Sequence, residues 1–360
     1  MTKLERVQGS MIGCAVGDAL GYTVEFWDEA RIRAAYGEAG ITAYAPVNGE
    51  ALISDDTQMA MFTAAGLIAA EGRSTPPPYI EAIADAYRDW YLTQYADTPP
   101  ADAEQRLWLL REPALFAWRA PGNTCLSAIR AGMHGTPERP SNHSKGCGGV
   151  MRVAPIGLFF AGSAFSIGQS DRIAAEAAAL THGHPLGWLS SAALAHMIRL
   201  ALEAPALSLA ETVRDAMRAL EQMGAPQEHV TRQNALLQAA LTLAQEDQTP
   251  LTAIHRLGEG WVGDEALAIA VYCALKFETD FTGAVIAAVN HKGDSDSTGA
   301  IVGQILGARL GIQGIPARFL DGLELRAQLM TLAQDLVTAA PTPGRPPEAL
   351  AALRARYPQA

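Results

Sequence analysis

The run Gly293-Asp294-Ser295-Asp296-Ser297-Thr298-Gly299-Ala300-Ile301-Val302-Gly303-Gln304-Ile305-Leu306-Gly307 decides how this chain can fold. It opens with carboxylates and hydroxyls and continues as an apolar helix predicted over 297–310. Gly299, Gly303 and Gly307 recur every fourth residue and share one helix face. Each costs a helix interior ~1 kcal/mol against alanine. Three on one face therefore call for a second helix, or a ligand, lying against the backbone. Such an approach would press the acidic cluster at the helix start against another part of the chain.

A second cluster, Ser54-Asp55-Asp56-Thr57, has the same make-up and opens a helix predicted over 55–70, with Ser54 as its N-cap. Taken alone, each cluster is a cap followed by acids that suit a helix dipole. Residues 294–298 also match the DxDxT pattern of haloacid-dehalogenase-type phosphatases. That family carries the pattern on a strand near the N-terminus with a lysine downstream, and no lysine follows Lys292 here. Carboxylates this dense repel one another unless a cation or solvent intervenes. Oxygen donors without Cys or His suit Mg²⁺, Mn²⁺ or Ca²⁺ rather than zinc. If the two clusters meet in space, they form a metal site with room for two ions.

Nearly every periodic segment is helical. Helices are predicted over 3–20, 55–70, from the Thr75-Pro76-Pro77-Pro78 turn to about Gln94, and over 122–132, 170–180, 186–203, 209–223, 230–246, 264–277, 280–290 and 297–310. The first segment breaks at Gly21, and Glu25 and Trp27 follow in an irregular stretch. Residues 96–121 read as a loop with a short helix, and 141–149 as a turn-rich run before another apolar helix. Alternating Val, Ile and Thr runs are almost absent, so the fold class is all-α. A single domain spans residues 1–340, and 341–360 form a Pro-rich step and a short C-terminal helix.

Of the 360 residues, 49% are apolar and 18% charged, which excludes a disordered chain. A net charge of −11 argues against a protein that coats nucleic acid, except where nucleic acid is a modified substrate. The first residues lack the apolar core of a signal peptide, and no apolar run reaches membrane-spanning length. Four cysteines without CxxC spacing fit a reduced compartment. The expectation is a soluble, cytoplasmic protein.

Three further segments join the acidic pair. Gly13-Cys14-Ala15-Val16-Gly17-Asp18-Ala19-Leu20-Gly21 precedes Glu25; Gly146-Cys147-Gly148-Gly149-Val150-Met151-Arg152 forms a glycine turn; Thr181-His182-Gly183-His184-Pro185 closes a helix. These five segments, in this order, resemble the ADP-ribosylglycohydrolase family, which includes the dinitrogenase-reductase-activating glycohydrolases and the ADP-ribosylarginine hydrolases. The resemblance covers about the first 310 residues.

What it implies is a single compact orthogonal helical bundle with a central di-metal cleft holding two Mg²⁺ or Mn²⁺ ions. By the family pattern Ser54, Asp55 and Asp56 hold one side of the metal pair, and Asp294, Asp296 and Ser297 the other. Glu25 matches a glutamate near the metals that serves as ligand, acid or base. Gly146, Cys147, Gly148, Gly149, Val150 and Met151 match the segment beside the diphosphate and distal ribose of ADP-ribose, with the N–H groups of Gly148, Gly149 and Val150 as an anion cradle. His182 would face the ligand. Cys147 departs from the commoner asparagine of that loop, a change that bears on any side-chain hydrogen bond from 147 and not on the backbone cradle. Asp18 reads as a brace and His184 as structural.

The implied activity is metal-dependent hydrolysis of an ADP-ribosyl linkage, with water activated by the ions attacking the distal ribose anomeric carbon and Glu25, Asp55 and Asp296 as catalytic groups. The Gly-Asp-Ser-Asp-Ser-Thr form points to ADP-ribosylarginine on protein. Serine, nucleic-acid and small-molecule conjugates of ADP-ribose stay open, as do a catalytically dead ADP-ribose binder and an immunity protein that occludes an ADP-ribosylating toxin or transferase.

Overall fold

A computed structural model describes residues 1–358. Among them are sixteen α-helices and no strand beyond isolated bridge pairs. In chain order these are α1 (Lys3–Tyr22), α2 (Glu29–Tyr36), α3 (Asp55–Ala70), α4 (Tyr79–Tyr95), α5 (Asn123–Arg130), α6 (Ala154–Phe160), α7 (Ile167–Ala179) and α8 (Pro185–Glu203). There follow α9 (Leu209–Leu220), α10 (Gln227–Leu243), α11 (Pro250–Leu257), α12 (Gly263–Lys276), α13 (Phe281–Val289), α14 (Ser295–Leu310), α15 (Arg326–Ala339) and α16 (Pro347–Leu353). None of these helices is long and apolar enough to cross a membrane.

The centre of the bundle is the antiparallel pair α1 and α14. Both are buried on nearly every face, which is why neither shows a polar stripe. The glycine face of α14 meets its counterpart in α1. Gly9 lies on Gly307, Gly13 on Gly303, Gly17 on Gly299 and Gly21 on Ser295, and a Cβ at any of these glycines would strike the opposing backbone. Two side chains tie the seam at intervals: Ser10 Oγ donates to Gln304 O at 3.0 Å and Ser295 Oγ to Gly21 O at 3.1 Å. Because the helices run antiparallel, the C-terminal end of α1 and the N-terminal end of α14 share one end of the bundle. The glycine face therefore brings the second acidic cluster against Asp18 and Glu25.

The first cluster arrives with α3, which is wholly buried and starts beside the same end. Ser54 caps it by accepting from Asp56 N at 3.2 Å. Asp18 of α1 then braces this start: its carboxylate accepts from Ser54 N at 2.9 and 3.0 Å and from Thr57 N at 3.1 Å. On the other side Glu324 accepts from Ile53 N at 3.0 Å and pairs with Arg119 at 2.6 Å, while Asp55 N donates to Arg119 O at 3.0 Å.

Three helices escape the sequence pattern. α2 and α11 are only eight residues long, near the lower limit at which periodicity is visible. α15 begins after Leu325 in a left-handed conformation with no side-chain cap, so its start carries no signal. Helix α1 also continues through Gly21 to Tyr22, because Gly21 belongs to the seam rather than to a turn. Residues 96–121 do not protrude; Leu109, Leu110 and Leu115 are buried on short 3₁₀ turns. The tail docks on the body through buried Leu353 and Tyr357, whose hydroxyl accepts from Trp108 Nε1 at 3.1 Å and donates to Asp335 at 2.8 Å.

Candidate active site

The cleft at the shared helix ends has a volume of about 320 Å³. Glu25, Asp55, Asp56, Asp294 and Asp296 all line it, so the structure unites the two clusters. Oxygens of Glu25, Asp294 and Asp296 lie within 4.8 Å of one another. Asp294 is the N-cap of α14, accepting from Ser297 N, and Asp296 and Asp55 sit in the first turns of their helices. Two helix N-termini therefore point their positive ends at the acids. That partial charge does not neutralise five carboxylates.

Their electrostatics make the deficit plain. Burial, then repulsion from Asp296, Asp294, Asp55 and Asp18, pushes Glu25 up to about 11. Burial and Asp296 hold Asp55 and Asp56 well above the ordinary carboxylate range, and Asp294 follows for the same reasons. Burial raises Asp296 as well, against hydrogen bonds that lower it. Asp18, fully buried beneath them, is raised to about 7 by desolvation and by Asp296. Three buried oxygens, Glu25 Oε2, Asp56 Oδ1 and Asp294 Oδ2, have no hydrogen-bond partner among the described residues. Buried polar atoms are ordinarily satisfied, and buried charges ordinarily paired. An all-oxygen donor set with orphaned acceptors fits hard divalent cations.

Other sequence-assigned residues fall on both sides of the cleft wall. Ser297, Gly146, Cys147, Gly148, Met151 and His182 line it. Ser54 does not; it is fully buried, and its hydroxyl caps α3 and lies 3.4 Å from Asp56 Oδ2. Gly149 and Val150 lie behind the wall. Val150 N–H is consumed by Cys147 O at 2.8 Å, within a 3₁₀ turn at Cys147–Gly149, so it offers nothing to an anion. The next helix starts only at Ala154, so no helix N-terminus backs this loop. The glycines also have a second reason. A Cβ at Gly146 or Gly148 would crowd the His182 ring, and one at Gly149 would press on Gly187 O. Cys147 lies beside Asp294, and burial and that carboxylate keep its thiol protonated.

Several contributors carry no motif. Phe26, 71% exposed, and Trp261 stack at the cleft mouth with ring centroids 5.9 Å apart. Trp261 O also accepts from Cys147 N at 3.2 Å, tying the glycine loop to the start of α12. His291 accepts or donates at Thr298 Oγ1, 3.0 Å away, and buttresses α14 from outside. Lys292 turns outward to Glu259 at 3.0 Å. Gly293 is required because Glu259 O occupies its Cβ position, while Asp294 N donates to that same oxygen at 2.8 Å. His184 caps α8 through Leu186 N at 3.1 Å.

An all-helical bundle with a buried oxygen-donor cluster in an open cleft defines a class by its site, one in which clustered carboxylates from separate helices could hold a metal ion. The family model for ADP-ribosylglycohydrolase matches residues 1–346, and the chain belongs to that family. It is 28% identical to the ADP-ribosyl-[dinitrogen reductase] glycohydrolase of Rhodospirillum rubrum over 90% of this chain and 92% of the relative. It is 25% identical to the ADP-ribosylarginine hydrolase Tri1 of Pseudomonas putida over 94% and 79%. Among solved structures, an ADP-ribosylglycohydrolase-related protein complex superimposes with a TM-score of 0.63 at 23% identity, covering 94% of this chain and 99% of that one, which bears on the fold. Membership supports hydrolysis of ADP-ribosyl groups as the activity class.

Proposed function

We propose that this protein removes ADP-ribose from modified substrates, with ADP-ribosylarginine on protein as the preferred linkage and Mg²⁺ or Mn²⁺ as the cofactor. The observation that carries the reading is the set of orphaned carboxylate oxygens on Glu25, Asp56 and Asp294 in a cleft of five buried acids. Asp55, Asp56, Asp294 and Asp296 would hold two ions, with Glu25 beside them. Ions held there would neutralise the acids and supply Lewis-acid chemistry.

The remaining steps belong to the chain. Cleavage at the distal ribose anomeric carbon develops oxocarbenium-like charge, and carboxylates on the cleft floor favour that charge. Glu25 lines the cleft, its Oε2 is buried without a partner, and the carboxyl group can hold or move a proton at the breaking bond. Gly148 supplies close backbone approach for the diphosphate, and His182 supplies a ring nitrogen at the same wall. The arginine preference rests on the Gly293–Thr298 form and on the relative named for that linkage. Residues 1–340 act as one domain and 341–360 as its tail, docked over the described residues 341–358, a reading supported by the buried Leu353 and Tyr357, while 359–360 lie outside the described residues.

The test is release of ADP-ribose from arginine-modified protein with Mg²⁺, with Mn²⁺ and with EDTA, for wild type, Asp55→Ala and Asp296→Ala. Cation-dependent release, abolished in both variants, is expected. Release confined to serine, nucleic-acid or small-molecule conjugates would overturn the arginine assignment and keep the hydrolase. Tight ADP-ribose binding without turnover of any conjugate would overturn the hydrolase.

A further inference from the structure

Arg152 is fully buried and has no carboxylate partner among the described residues. Its guanidinium lies 4.4 Å from the centre of the Tyr87 ring, contacts Cys125 Sγ at 3.4 Å and Met59 Sδ at 3.6 Å, and donates to Ala177 O at 3.1 Å. A buried cation among such weak acceptors is costly, and a neutral side chain of the same shape would fill the space more cheaply. Its shortest bond shows where the charge is directed. Arg152 Nη2 donates to Thr181 Oγ1 at 2.7 Å, and Thr181 Oγ1 lies 2.8 Å from His182 Nδ1.

The direction of this chain follows from donor inventory. A guanidinium has no acceptor, so the Thr181 oxygen accepts from it and keeps one hydrogen to give. The oxygen and nitrogen acceptors in reach are Ala178 O at 3.4 Å and His182 Nδ1 at 2.8 Å, with Cys125 Sγ a weaker sulfur acceptor. The shorter contact takes the hydrogen, which makes Nδ1 an acceptor. In a neutral imidazole the ring proton then resides on Nε2. Nε2 has no hydrogen-bond partner among the described residues, and the His182 ring borders the cleft beneath Gly146 and Gly148. Burial and the neighbouring Arg152 charge lower the ring to about 3, in keeping with a neutral imidazole.

We propose that Arg152 and Thr181 are positioning residues for His182: the guanidinium orients the hydroxyl, the hydroxyl orients the ring, and the ring is held as the neutral tautomer that presents an Nε2–H donor to an oxygen of the ADP-ribosyl group. The ligand in this statement rests on the function proposed above; the tautomer does not. The relay also explains why the glycine turn, Arg152 and the Thr-His pair act as one unit although 29 residues separate Arg152 from Thr181. Backbone from the turn covers the ring, and Arg152, three residues past Gly149, fixes it from the other side through Thr181.

The test uses full-length protein labelled with ¹⁵N-histidine at about pH 7, with the His182 signals assigned by their loss in His182→Gln. A long-range ¹H–¹⁵N correlation spectrum of the wild type should show Nε2 protonated and Nδ1 bare. Thr181→Val should lose that bias and weaken ADP-ribose binding, measured by calorimetry with Mg²⁺ present, about tenfold, the scale of one hydrogen bond to a charged group. Thr181→Ser should restore both, which a merely structural role for the methyl group would not allow. A protonated Nδ1 in the wild type, or an unchanged tautomer in Thr181→Val, overturns the relay; the wild-type spectrum decides even if the valine variant fails to fold. A wild type with the expected tautomer that binds no ADP-ribose overturns the proposed function and the donor role, and leaves the relay standing.

Discussion

Gly17 and Gly299 face each other backbone to backbone, and each carbonyl oxygen occupies the space the other's Cβ would need. Gly17 adjoins Asp18 and Gly299 lies one turn from Asp296, so the seam sets the spacing of the two acid-bearing ends. Gly299→Ala should therefore destabilise the fold by ~3 kcal/mol or more, because neither backbone can yield as a flexible side chain would. Gly168→Ala is the control: its Cβ meets nothing within 4 Å in α7, and helix propensity makes it neutral or stabilising by up to ~1 kcal/mol. Urea unfolding of both variants checks the contrast. Equal stabilities would show that the seam is not tight.

Half of this seam was legible in sequence. The fourth-residue glycines of α14 announced a close approach, but Gly9, Gly13, Gly17 and Gly21 carry the same period and read only as a Gly-rich helix. Pairing them requires knowing that the two helices run antiparallel, which no local pattern records. The same limit hid the bracing of the first cluster. Asp18, Glu324 and Arg119 converge on residues 53–57 from three distant parts of the chain, and an isolated glutamate at 324 has no signature. The acids were found because carboxylates bunched in sequence are unusual. The glycine turn was found, but two of its residues face away from the cleft because its N–H groups close a 3₁₀ turn.

Five buried acids without a counter-charge store repulsion that a divalent cation relieves. Adding Mn²⁺ or Mg²⁺ to EDTA-treated protein should raise its stability, by ~2.7 kcal/mol per site at a hundredfold excess over Kd. Asp294→Asn should do two opposite things. It removes one repelling carboxylate with an orphaned oxygen, so the cation-free protein becomes more stable, and it weakens the cation-induced increment. Thermal scans with and without Mn²⁺ measure both effects. A variant less stable than wild type in EDTA would contradict the account.

His196 is the clearest pH-sensitive group away from the cleft. It is buried in α8 with Nδ1 2.8 Å from Asp171 of α7 and Nε2 3.0 Å from Asp215 of α9. Burial alone would lower its pKa, but the two carboxylates outweigh burial and raise it. A His raised in the folded state stabilises fully below its unfolded value of about 6.5, and that stability is lost as pH rises through the folded value. Asp215 is part-exposed and screened, so most of the effect belongs to the buried Asp171 arm. His196→Gln should cost ~3 kcal/mol near pH 6 and distinctly less near pH 9. A cost that is constant across this range would show that the ring is neutral throughout.

Phe26 and Trp261 separate binding from stability. Phe26 is among the most exposed large apolar side chains of the described residues, and its only aromatic neighbour is the Trp261 ring, tilted 18° from parallel. Phe26 keeps most of its surface in water, so it contributes little to folding. It stands beside Glu25 at the mouth of the cleft, where a substrate must pass. Phe26→Ala should therefore leave the urea midpoint within about 0.5 kcal/mol of wild type. Its effect should fall on KM, raised roughly tenfold, the scale of one lost aromatic contact, with kcat largely retained because no proton or cation depends on the ring. Trp261→Ala is different, since its backbone holds Cys147 and its ring is only 39% exposed, so a modest stability loss should accompany the rise in KM. Steady-state kinetics beside unfolding curves for both variants distinguish them. A fall in kcat without a change in KM for Phe26→Ala would place the ring in the chemical step instead of at the door.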